Sequence, residues 1–342
     1  MQANIDGMAE FFREGDVKLR PHFKAHKTLE IARRQLAAGS CTGLTCATVA
    51  EAETVADICN DILIANEIVG ANKTARVAAL AARGVDIKIA VDSAEGLALA
   101  GVAAVSAGVE IGVLIDVNVG MPRCGVAPDA AVELAARAAE TAGVRLRGLM
   151  GYEGHAVGIP ERDKREKVTR EAMEGLLSAV SAMREAGLPC EIVSAGGTGS
   201  YDITGRIEGI TEVQPGSYAL MDTAYAKLAS PFRQAIWVLG TVISRPAPNL
   251  CVADSGHKAC TEDHGNPEVA GVEGASVLFL SDEHASITLP RESALAVGDR
   301  IRLTPSHIDP TINLHDVIYV IEGDRVTDVW PVTARGYAEQ RR

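Results

Sequence analysis

The sequence predicts an α/β protein, a (β/α)8 barrel of the TIM type followed by a smaller all-β domain. Three observations lead to this prediction. Short apolar runs alternate with helical segments over the longer, N-terminal part of the chain, eight of these runs have the length of buried parallel strands, and the alternation stops after Pro231. We therefore predict a barrel domain at 1–228 and a β domain at 229–342.

The predicted barrel strands are short, apolar and mostly followed by a helical segment. They cover residues 18–25, 42–47, 61–65, 86–91, 111–117, 146–152, 191–195 and 211–213. Clear helical segments are predicted at 28–38, 128–142 and 164–186. Thr48 and Glu51 have the spacing of a capping box, which predicts that a helix begins directly after the second strand. A doubly wound open sheet has the same alternation, so the strand count alone does not separate the two folds.

The second domain is predicted to be all-β because its apolar segments are short, rich in β-branched residues and separated by turn residues. Helical periodicity is absent from this part of the sequence. The predicted strands cover residues 236–243, 250–253, 276–280, 285–289, 300–303, 317–321 and 326–330.

The composition argues against several classes of protein. With 342 residues and a formal net charge of −12, the chain lacks the basic surface that nucleic-acid binding requires. No apolar run is long enough to cross a membrane, and the acidic, amphipathic first residues do not resemble a signal peptide. Seven cysteines without a CxxC pair do not suggest a disulfide framework, so we expect a cytoplasmic location.

Basic residues cluster in the first predicted strand of this acidic chain. In an extended conformation Arg20, His22, Lys24 and His26 would share one face. Burying four such groups would require an anionic partner, and the neighbouring cations would favour the neutral, nucleophilic form of the Lys24 amine, as Schiff-base chemistry needs. An exposed basic edge strand is an equally good explanation of the composition alone.

Glycine-containing loops follow the seventh and eighth predicted strands. Their sequences are SAGGTGS at 194–200 and QPGS at 214–217. In barrels, loops in these positions commonly bind phosphate through backbone N–H groups. A glycine run by itself is more often an ordinary turn, but with a basic strand in the same barrel it predicts a site for a small anion.

The β domain contains the sequence PSHIDPT at 305–311. In extended chain, His307 and Asp309 would point the same way. An imidazole with a carboxylate suits Mg²⁺ or Mn²⁺, whereas a thiolate would favour Zn²⁺. Most H-x-D sequences are structural, so this pair alone is weak evidence for a metal site.

These motifs together resemble the D-threonine aldolase and D-serine dehydratase family of fold-type III enzymes, which are relatives of alanine racemase and use pyridoxal phosphate (PLP). The segments that carry the resemblance are RPHFKAHK at 20–27, GLTCATVAEAE at 43–53, DILIANEIVG at 61–70, GMPRCGV at 120–126, GYEGH at 151–155, the GGTG loop and EVQPGSYALMD at 212–222. They span nearly the whole chain in order. The resemblance implies that Lys24 is the lysine that binds PLP as a Schiff base.

The resemblance also implies roles for other residues. Arg123 matches the arginine that contacts the phenolic oxygen of PLP in the racemases, and Gln214 stands where the racemases have an arginine against the pyridine nitrogen. The other expected cofactor contacts are Tyr152, Thr198, Gly199, Gly216, Ser217 and Tyr218. His307 and Asp309 match the metal motif of the aldolases, whereas the dehydratases have H-x-C with zinc.

From this resemblance we expect a lyase that uses PLP and a divalent metal, Mg²⁺ or Mn²⁺ rather than Zn²⁺. Its expected reaction cleaves a D-3-hydroxy amino acid, such as D-threonine or 3-hydroxy-D-aspartate, to glycine and an aldehyde. Besides Lys24, His155 and His22 are the candidate catalytic residues, each as a base or proton relay. We also expect a homodimer.

Three other functions are compatible with the motifs. The nearest is a dehydratase acting on D-serine or 3-hydroxy-D-aspartate, and more distant ones are a racemase and a non-catalytic protein of PLP homeostasis. An acidic substrate would need a further cationic contact, for which the candidates are Arg20, Lys27 and Lys258.

Overall fold

The computed structural model describes residues 1–336, and residue contacts divide the chain into two compact units. The barrel unit contains Ile5–Lys24 and Thr28–Gly216. The β unit contains Ser217–Gly336 together with Met1–Asn4 and Ala25–Lys27. The predicted β domain was extended to residue 342, and positions 337–342 lie outside the described residues.

Eight parallel strands form the sheet of the barrel unit. They are β1 Lys18–Leu19, β2 Leu44–Cys46, β3 Asp61–Glu67, β4 Asp86–Val91, β5 Ile111–Asp116, β6 Val144–Met150, β7 Ile192–Ala195 and β8 Glu212–Val213. Their order is β1-β8-β7-β6-β5-β4-β3-β2. Isolated parallel bridges from Leu19 to Cys41 and from His22 to Thr45 join β1 to the segment of β2. The predicted barrel is therefore confirmed, and an open doubly wound sheet is excluded.

Helices follow most of the barrel strands. These helices are α2 Leu29–Ala37, α3 Val49–Val55, α4 Ala71–Ala82, α5 Ala94–Ala107, α6 Ala131–Glu140, α7 Arg162–Glu185 and α8 Tyr201–Thr204, and α1 Gln2–Phe11 precedes β1. The start of α3 has the predicted capping. The Thr48 side chain accepts a hydrogen bond from the Glu51 N–H, and the Glu51 carboxylate accepts one from the Ala47 N–H, one residue earlier than in the usual capping box.

The first predicted strand, 18–25, is wrong in its length. β1 ends at Leu19, and the chain enters a 3-10 helix at Phe23–Ala25. Backbone bonds from the Arg20 N–H to Val213 and from the His22 N–H to Pro215 keep this irregular segment beside β8. Because the chain turns, the side chains at positions 20, 22, 24 and 26 do not share one strand face.

Arg20 belongs to a buried ion-pair network rather than to an anion pocket. Its guanidinium, 1% exposed, contacts the Asp61 carboxylate at 2.5 Å and the Glu212 carboxylate at 2.8 Å. The fully buried Lys88 ammonium lies 2.8 Å from both Asp61 and Asp86. These acids are the first residues of β3, β4 and β8, so the network occupies the amino ends of the strands, opposite the end where barrels place catalytic groups.

The β unit contains a six-stranded antiparallel sheet and a separate hairpin. The strands are β9 Val238–Ala247, β10 Leu250–Ala253, β11 Glu268–Ala270, β12 Ser276–Leu280, β13 Ala285–Thr288, β14 Arg300–Thr304, β15 Val317–Glu322 and β16 Arg325–Pro331. The large sheet has the order β11-β14-β9-β10-β13-β12, and β15 pairs with β16. Its core includes the fully buried Val242, Cys251, Ile287 and Leu303.

The prediction that residues 229–342 are all-β is correct for the architecture of those that the structure describes but misses one strand, β11, and one short helix, α10 Ile308–Ile312. The β unit also contains α9 Thr223–Ala226, which lies before the predicted domain boundary. Helix α10 begins inside the H-x-D motif, so the extended geometry expected for His307 and Asp309 is wrong. Within residues 1–336, no helix has the length and apolar character of a membrane span.

Candidate active site

Tyr152 follows β6 and lies between two glycines of the barrel unit. A Cβ atom added to Gly154 would lie 2.6 Å from the Cε1 of the Tyr152 ring, and one added to Gly197 would lie 3.2 Å from its Cε2. The Arg123 guanidinium carbon is 5.4 Å from the centroid of the same ring. The two glycines therefore give the ring its space, and the structure brings together two predicted cofactor residues, Arg123 and Tyr152.

The glycine-rich loop after β7 is buried over its whole length. Residues 196–200 are all buried, with Thr198 5% exposed, and the chain turns at 198–200, which includes Gly199. The Gly196 backbone has φ 75°, a left-handed conformation that favours glycine, and an added Cβ would meet the Val213 side chain at 2.5 Å. The loop therefore presents a backbone surface that larger residues could not form.

Gln214 is held at the carboxyl end of β8. Its side-chain amide donates to the Ser194 hydroxyl at 2.7 Å, and its backbone N–H donates to the Ala195 carbonyl at 3.1 Å. Gly216 follows two residues later and is partly exposed. This bond uses one of the two N–H donors of the Gln214 amide, so the second N–H and the side-chain oxygen can both serve another partner.

The three predicted catalytic residues lie in two segments of the barrel unit, one after β1 and one after β6. Lys24 is partly buried in the 3-10 helix after β1, and His22 is partly buried two residues earlier. His155 is exposed, and its ring packs beside Gly120, where an added Cβ would lie 3.0 Å from the ring Cε1. His26, the fourth basic residue of the cluster, is fully buried and belongs to the β unit.

A group of acids and a thiol lies where β3, β4 and β5 end. Ligand atoms of Glu67, Asp92 and Cys124 are within 4.8 Å of one another. Burial raises the pKa of Asp116 to about 8, with further contributions from a hydrogen bond to Glu67 and from its charge. Burial also raises the pKa of the Cys124 thiol to about 11. Asp116 therefore retains a proton at neutral pH, and Cys124 is a thiol rather than a thiolate.

In the β unit, Asp222 fixes the H-x-D segment. Its buried carboxylate accepts hydrogen bonds from the Tyr225 N–H at 3.0 Å and from the Ile308 N–H at 3.1 Å. His307 is the N-cap residue of α10, and Asp309 lies in the first turn of that helix. The backbone of the motif is thus set by a carboxylate that ends the segment EVQPGSYALMD.

His307 is oriented by two neighbours. Its Nδ1 is hydrogen-bonded to the Asp263 carboxylate. The His264 ring stacks on the His307 ring with centroids 4.2 Å apart and planes inclined by 4°. Ligand atoms of the three side chains lie within 4.8 Å of one another. Since a carboxylate accepts the Nδ1 hydrogen, the Nε2 lone pair of His307 is left for a metal ion.

Two predicted cofactor contacts also lie in the β unit. The Ser217 hydroxyl donates to the Asp309 carboxylate at 3.4 Å, so the structure brings together a residue predicted to bind PLP and one predicted to bind metal. Tyr218 is fully buried, with its ring centroid 5.6 Å from that of Phe232.

Sequence reasoning missed Glu153, Asp222, Asp263 and His264. Glu153 and Asp222 stand inside the motifs GYEGH and EVQPGSYALMD, so their place in a motif was the available signal. Asp263 lies 44 positions before His307 in the sequence, and His264 follows Asp263 directly. No spacing rule links residues so far apart.

Comparisons with known proteins agree with the motif-based resemblance. Residues 1–224 match the family described as alanine racemase, N-terminal domain, and residues 235–321 match that described as putative serine dehydratase domain. A D-threonine aldolase from Arthrobacter sp. is 40% identical over 98% of this chain and 90% of its own length. A 3-hydroxy-D-aspartate aldolase from Paracoccus denitrificans (strain Pd 1222) is 33% identical over 98% and 89%.

Solved structures give the same result. The crystal structure of D-threonine aldolase from Filomicrobium marinum superposes with a TM-score of 0.94 at 37% identity, covering 98% of this chain and 92% of that one. D-threo-3-hydroxyaspartate dehydratase from Delftia sp. HT23 superposes with a TM-score of 0.89 at 26% identity, covering 98% and 95%. The chain is thus similar to both an aldolase and a dehydratase, and the overall fold does not distinguish the two reactions.

Proposed function

The chain belongs to the family of proteins with the alanine racemase N-terminal domain, and from this premise we propose that it is a PLP-dependent lyase that cleaves D-3-hydroxy amino acids to glycine and an aldehyde. The observation that carries the proposal is that several features of such an enzyme occur together in one chain. A likeness to aldolases over nearly the whole chain accompanies a lysine after β1, a buried glycine loop after β7 and an imidazole–carboxylate group in the β unit.

The residues of the barrel unit fit PLP. The loop at 196–200 is buried and contains three glycines, which gives it the form of a phosphate cradle. We assign Lys24 as the residue that binds the cofactor covalently. The proposed non-covalent contacts from the barrel unit are Arg123, Tyr152, Thr198, Gly199, Gln214 and Gly216, and those proposed from the β unit are Ser217 and Tyr218. When bound, PLP supplies an electron sink for the charge that C–C cleavage leaves on the α-carbon.

The donor set of the β unit fits a divalent metal. His307 offers Nε2 and Asp309 a carboxylate, and Asp263 fixes the ring of His307 from the opposite side. Imidazole and carboxylate ligands without a thiolate favour Mg²⁺ or Mn²⁺ over Zn²⁺. When bound, such an ion supplies a Lewis acid that lowers the pKa of the β-hydroxyl of the substrate.

The proton of the β-hydroxyl needs an acceptor on the protein. His155 and His22 are the two candidates, and we favour His155 because its exposed ring can exchange protons with solvent. Gly120 gives that ring its position, since a side chain there would collide with it. Lys24 is close in sequence to His22, and we assign His22 to orienting that part of the chain.

The ion pairs favour a substrate without a second carboxylate. Arg20 is engaged by Glu212 at the amino end of the barrel strands, and the Lys258 ammonium lies 2.6 Å from Glu283. Lys27, the third cationic candidate, donates to the Ala334 carbonyl at 3.5 Å. We therefore propose D-threonine and similar uncharged D-3-hydroxy amino acids as substrates ahead of 3-hydroxy-D-aspartate.

A dehydratase is the second candidate function, and the likeness to the Delftia enzyme supports it. In that reaction Lys24 would remove the α-proton and hydroxide would leave the β-carbon. Asp309 at the position where the dehydratases have cysteine supports the aldolase instead.

We also propose that the protein is cytoplasmic and forms a homodimer. The cytoplasmic location is consistent with its seven unpaired cysteines.

The two reactions are separated by their products. Purified protein is incubated with PLP, Mn²⁺ and either D-threonine or 3-hydroxy-D-aspartate, and glycine, aldehyde, ammonia and keto acid are measured. We expect glycine and acetaldehyde from D-threonine. Ammonia and keto acid without glycine would overturn the aldolase proposal in favour of the dehydratase.

A further inference from the structure

One buried carboxylate, that of Glu153, holds both ends of the glycine-rich loop after β7. Its side chain is 0% exposed. One oxygen accepts a hydrogen bond from the Gly196 N–H at 3.0 Å, and the other accepts from the Ser200 hydroxyl at 2.7 Å and the Thr204 hydroxyl at 2.5 Å. All these donors are buried, so the carboxylate is satisfied by the loop itself.

The contacts fix the loop at its start and at its end. Gly196 is its first glycine, whereas Ser200 is the N-cap residue of α8 and Thr204 is the last residue of that helix. The Ser200 hydroxyl, while donating to Glu153, also accepts from the Gly197 N–H at 3.1 Å. The path of the chain between the two fixed points is thereby determined by one acidic side chain from the neighbouring strand end.

The charge of Glu153 has no cationic counterpart: in the part of the chain from 1 to 336, it forms no ion pair with a lysine, arginine or histidine. A buried anion beside a phosphate-binding loop is electrostatically unfavourable for phosphate. The three hydrogen bonds that the carboxylate accepts offset the cost of burying it and fix the position of the loop. The carboxylate therefore acts on the shape of the loop and not on its charge.

We propose that Glu153 is a positioning residue that sets the backbone of residues 196–200 in the shape that receives the phosphate group of PLP. The inference rests on the proposed function, because it requires that this loop bind the cofactor phosphate. It assigns to the acid of GYEGH a role in cofactor affinity that acts through Gly196, Ser200 and Thr204.

The test compares PLP with pyridoxal, which lacks the phosphate group. Wild-type apoprotein and the variants Glu153→Gln, Glu153→Ala and Thr204→Val are titrated with each compound, and the dissociation constants are measured from the change in visible absorbance. Loss of hydrogen bonds to a buried charged group should weaken PLP binding by roughly ten- to a hundredfold in Glu153→Ala. Pyridoxal binding should change by no more than about twofold, since the loop then has no phosphate to receive.

The other variants keep the test decisive if Glu153→Ala does not fold. In Glu153→Gln, the amide oxygen can still accept from the Gly196 N–H, and the amide NH2 can donate to the Ser200 and Thr204 hydroxyls if these turn to accept. Its PLP affinity should therefore lie between those of the wild type and Glu153→Ala. Thr204→Val keeps the shape of the side chain and removes a single hydrogen-bond donor, so it should give the smallest loss of PLP affinity. The ³¹P resonance of bound PLP should shift in both variants, and Glu140→Gln, an exposed site at the end of α6, should match wild type.

The outcomes separate the inference from the function on which it rests. Equal affinity of wild type and folded variants for PLP, with an unchanged ³¹P resonance, would overturn the inference alone. An equal loss of PLP and pyridoxal affinity would also overturn it, because Glu153 would then support the barrel generally. Failure of the wild-type protein to bind PLP at all would overturn both.

Discussion

The imidazole of His307 is hydrogen-bonded through Nδ1 to the carboxylate of Asp263, while its second face is covered by the ring of His264. The bond selects the tautomer whose Nε2 carries a lone pair. It also restrains the ring before any ion binds, which reduces the ordering that binding requires.

Asp263→Asn should therefore weaken metal binding without removing a proposed ligand. Loss of a partner of this type typically costs roughly ten- to a hundredfold in metal affinity. The dissociation constant for Mn²⁺ can be measured by calorimetry or electron paramagnetic resonance. Asp324→Asn, in the exposed turn between β15 and β16, is the matched control. Unchanged Mn²⁺ affinity in Asp263→Asn would show that the hydrogen bond has no part in the metal site.

Lys24→Ala should abolish covalent binding of PLP. The visible absorbance of the lysine-bound cofactor should be lost while the far-ultraviolet circular dichroism stays that of the wild type. Lys18→Ala is the control, because Lys18 is exposed and its ammonium donates to the Gly15 carbonyl at 2.9 Å. A band that survives in folded Lys24→Ala would assign the cofactor to another lysine.

Arg20→Met should destabilise the barrel. The substitution keeps much of the side-chain volume but leaves the buried Glu212 carboxylate without its cation, and breaking a pair of this kind costs about 3–5 kcal/mol. The free energy of unfolding in urea measures the effect. Arg13→Met, which removes an exposed arginine paired with Glu10, should change it by less than about 1 kcal/mol. Equal effects at the two sites would contradict the structural role assigned to Arg20.

Asp116 should make the apoprotein less stable as the pH rises. Its pKa is raised from 3.8 to about 8, chiefly by burial and then by Glu67. Between these values the folded state holds a proton that the unfolded state has released, so the free energy of unfolding falls as pH increases and levels off above about pH 8.

Asp116→Asn removes this dependence. Its melting temperature should be close to that of wild type at pH 5 and higher than that of wild type at pH 8. Asp129→Asn, an exposed site before α6, should follow wild type at both pH values. A difference between Asp116→Asn and wild type that is the same at pH 5 and pH 8 would exclude a titrating Asp116.

The barrel was predictable because its strands are short apolar runs that alternate with helical segments, and these signals are local. β3 to β7 lie close to the predicted ranges for this reason. The length of β1 was not predictable, because RPHFKAHK has the alternation of a strand. Hydrogen bonds to Val213 and Pro215 and the 3-10 turn at Phe23–Ala25 decide the path of this segment. A two-residue strand gives no periodicity to detect.

The candidate site could be proposed from the sequence where a motif carried its residues, and not where their partners came from elsewhere in the sequence. Lys24, Arg123 and Tyr152 stand in motifs that the sequence displays. Arg20 looked like part of an anion pocket because its partners, Asp61 and Glu212, are joined to it only by folding.

The hydrogen bond from the Ile308 N–H to the Asp222 carboxylate bears on the order in which parts of the chain fold. The two residues are 86 positions apart, so the order of synthesis places the acceptor long before its donor. Closing so long a loop is entropically costly and, in folding, comes after local contacts have formed. The helix turn at His307 should thus be among the late events of folding, because the Ile308 N–H can reach the Asp222 carboxylate only after the intervening chain has been ordered.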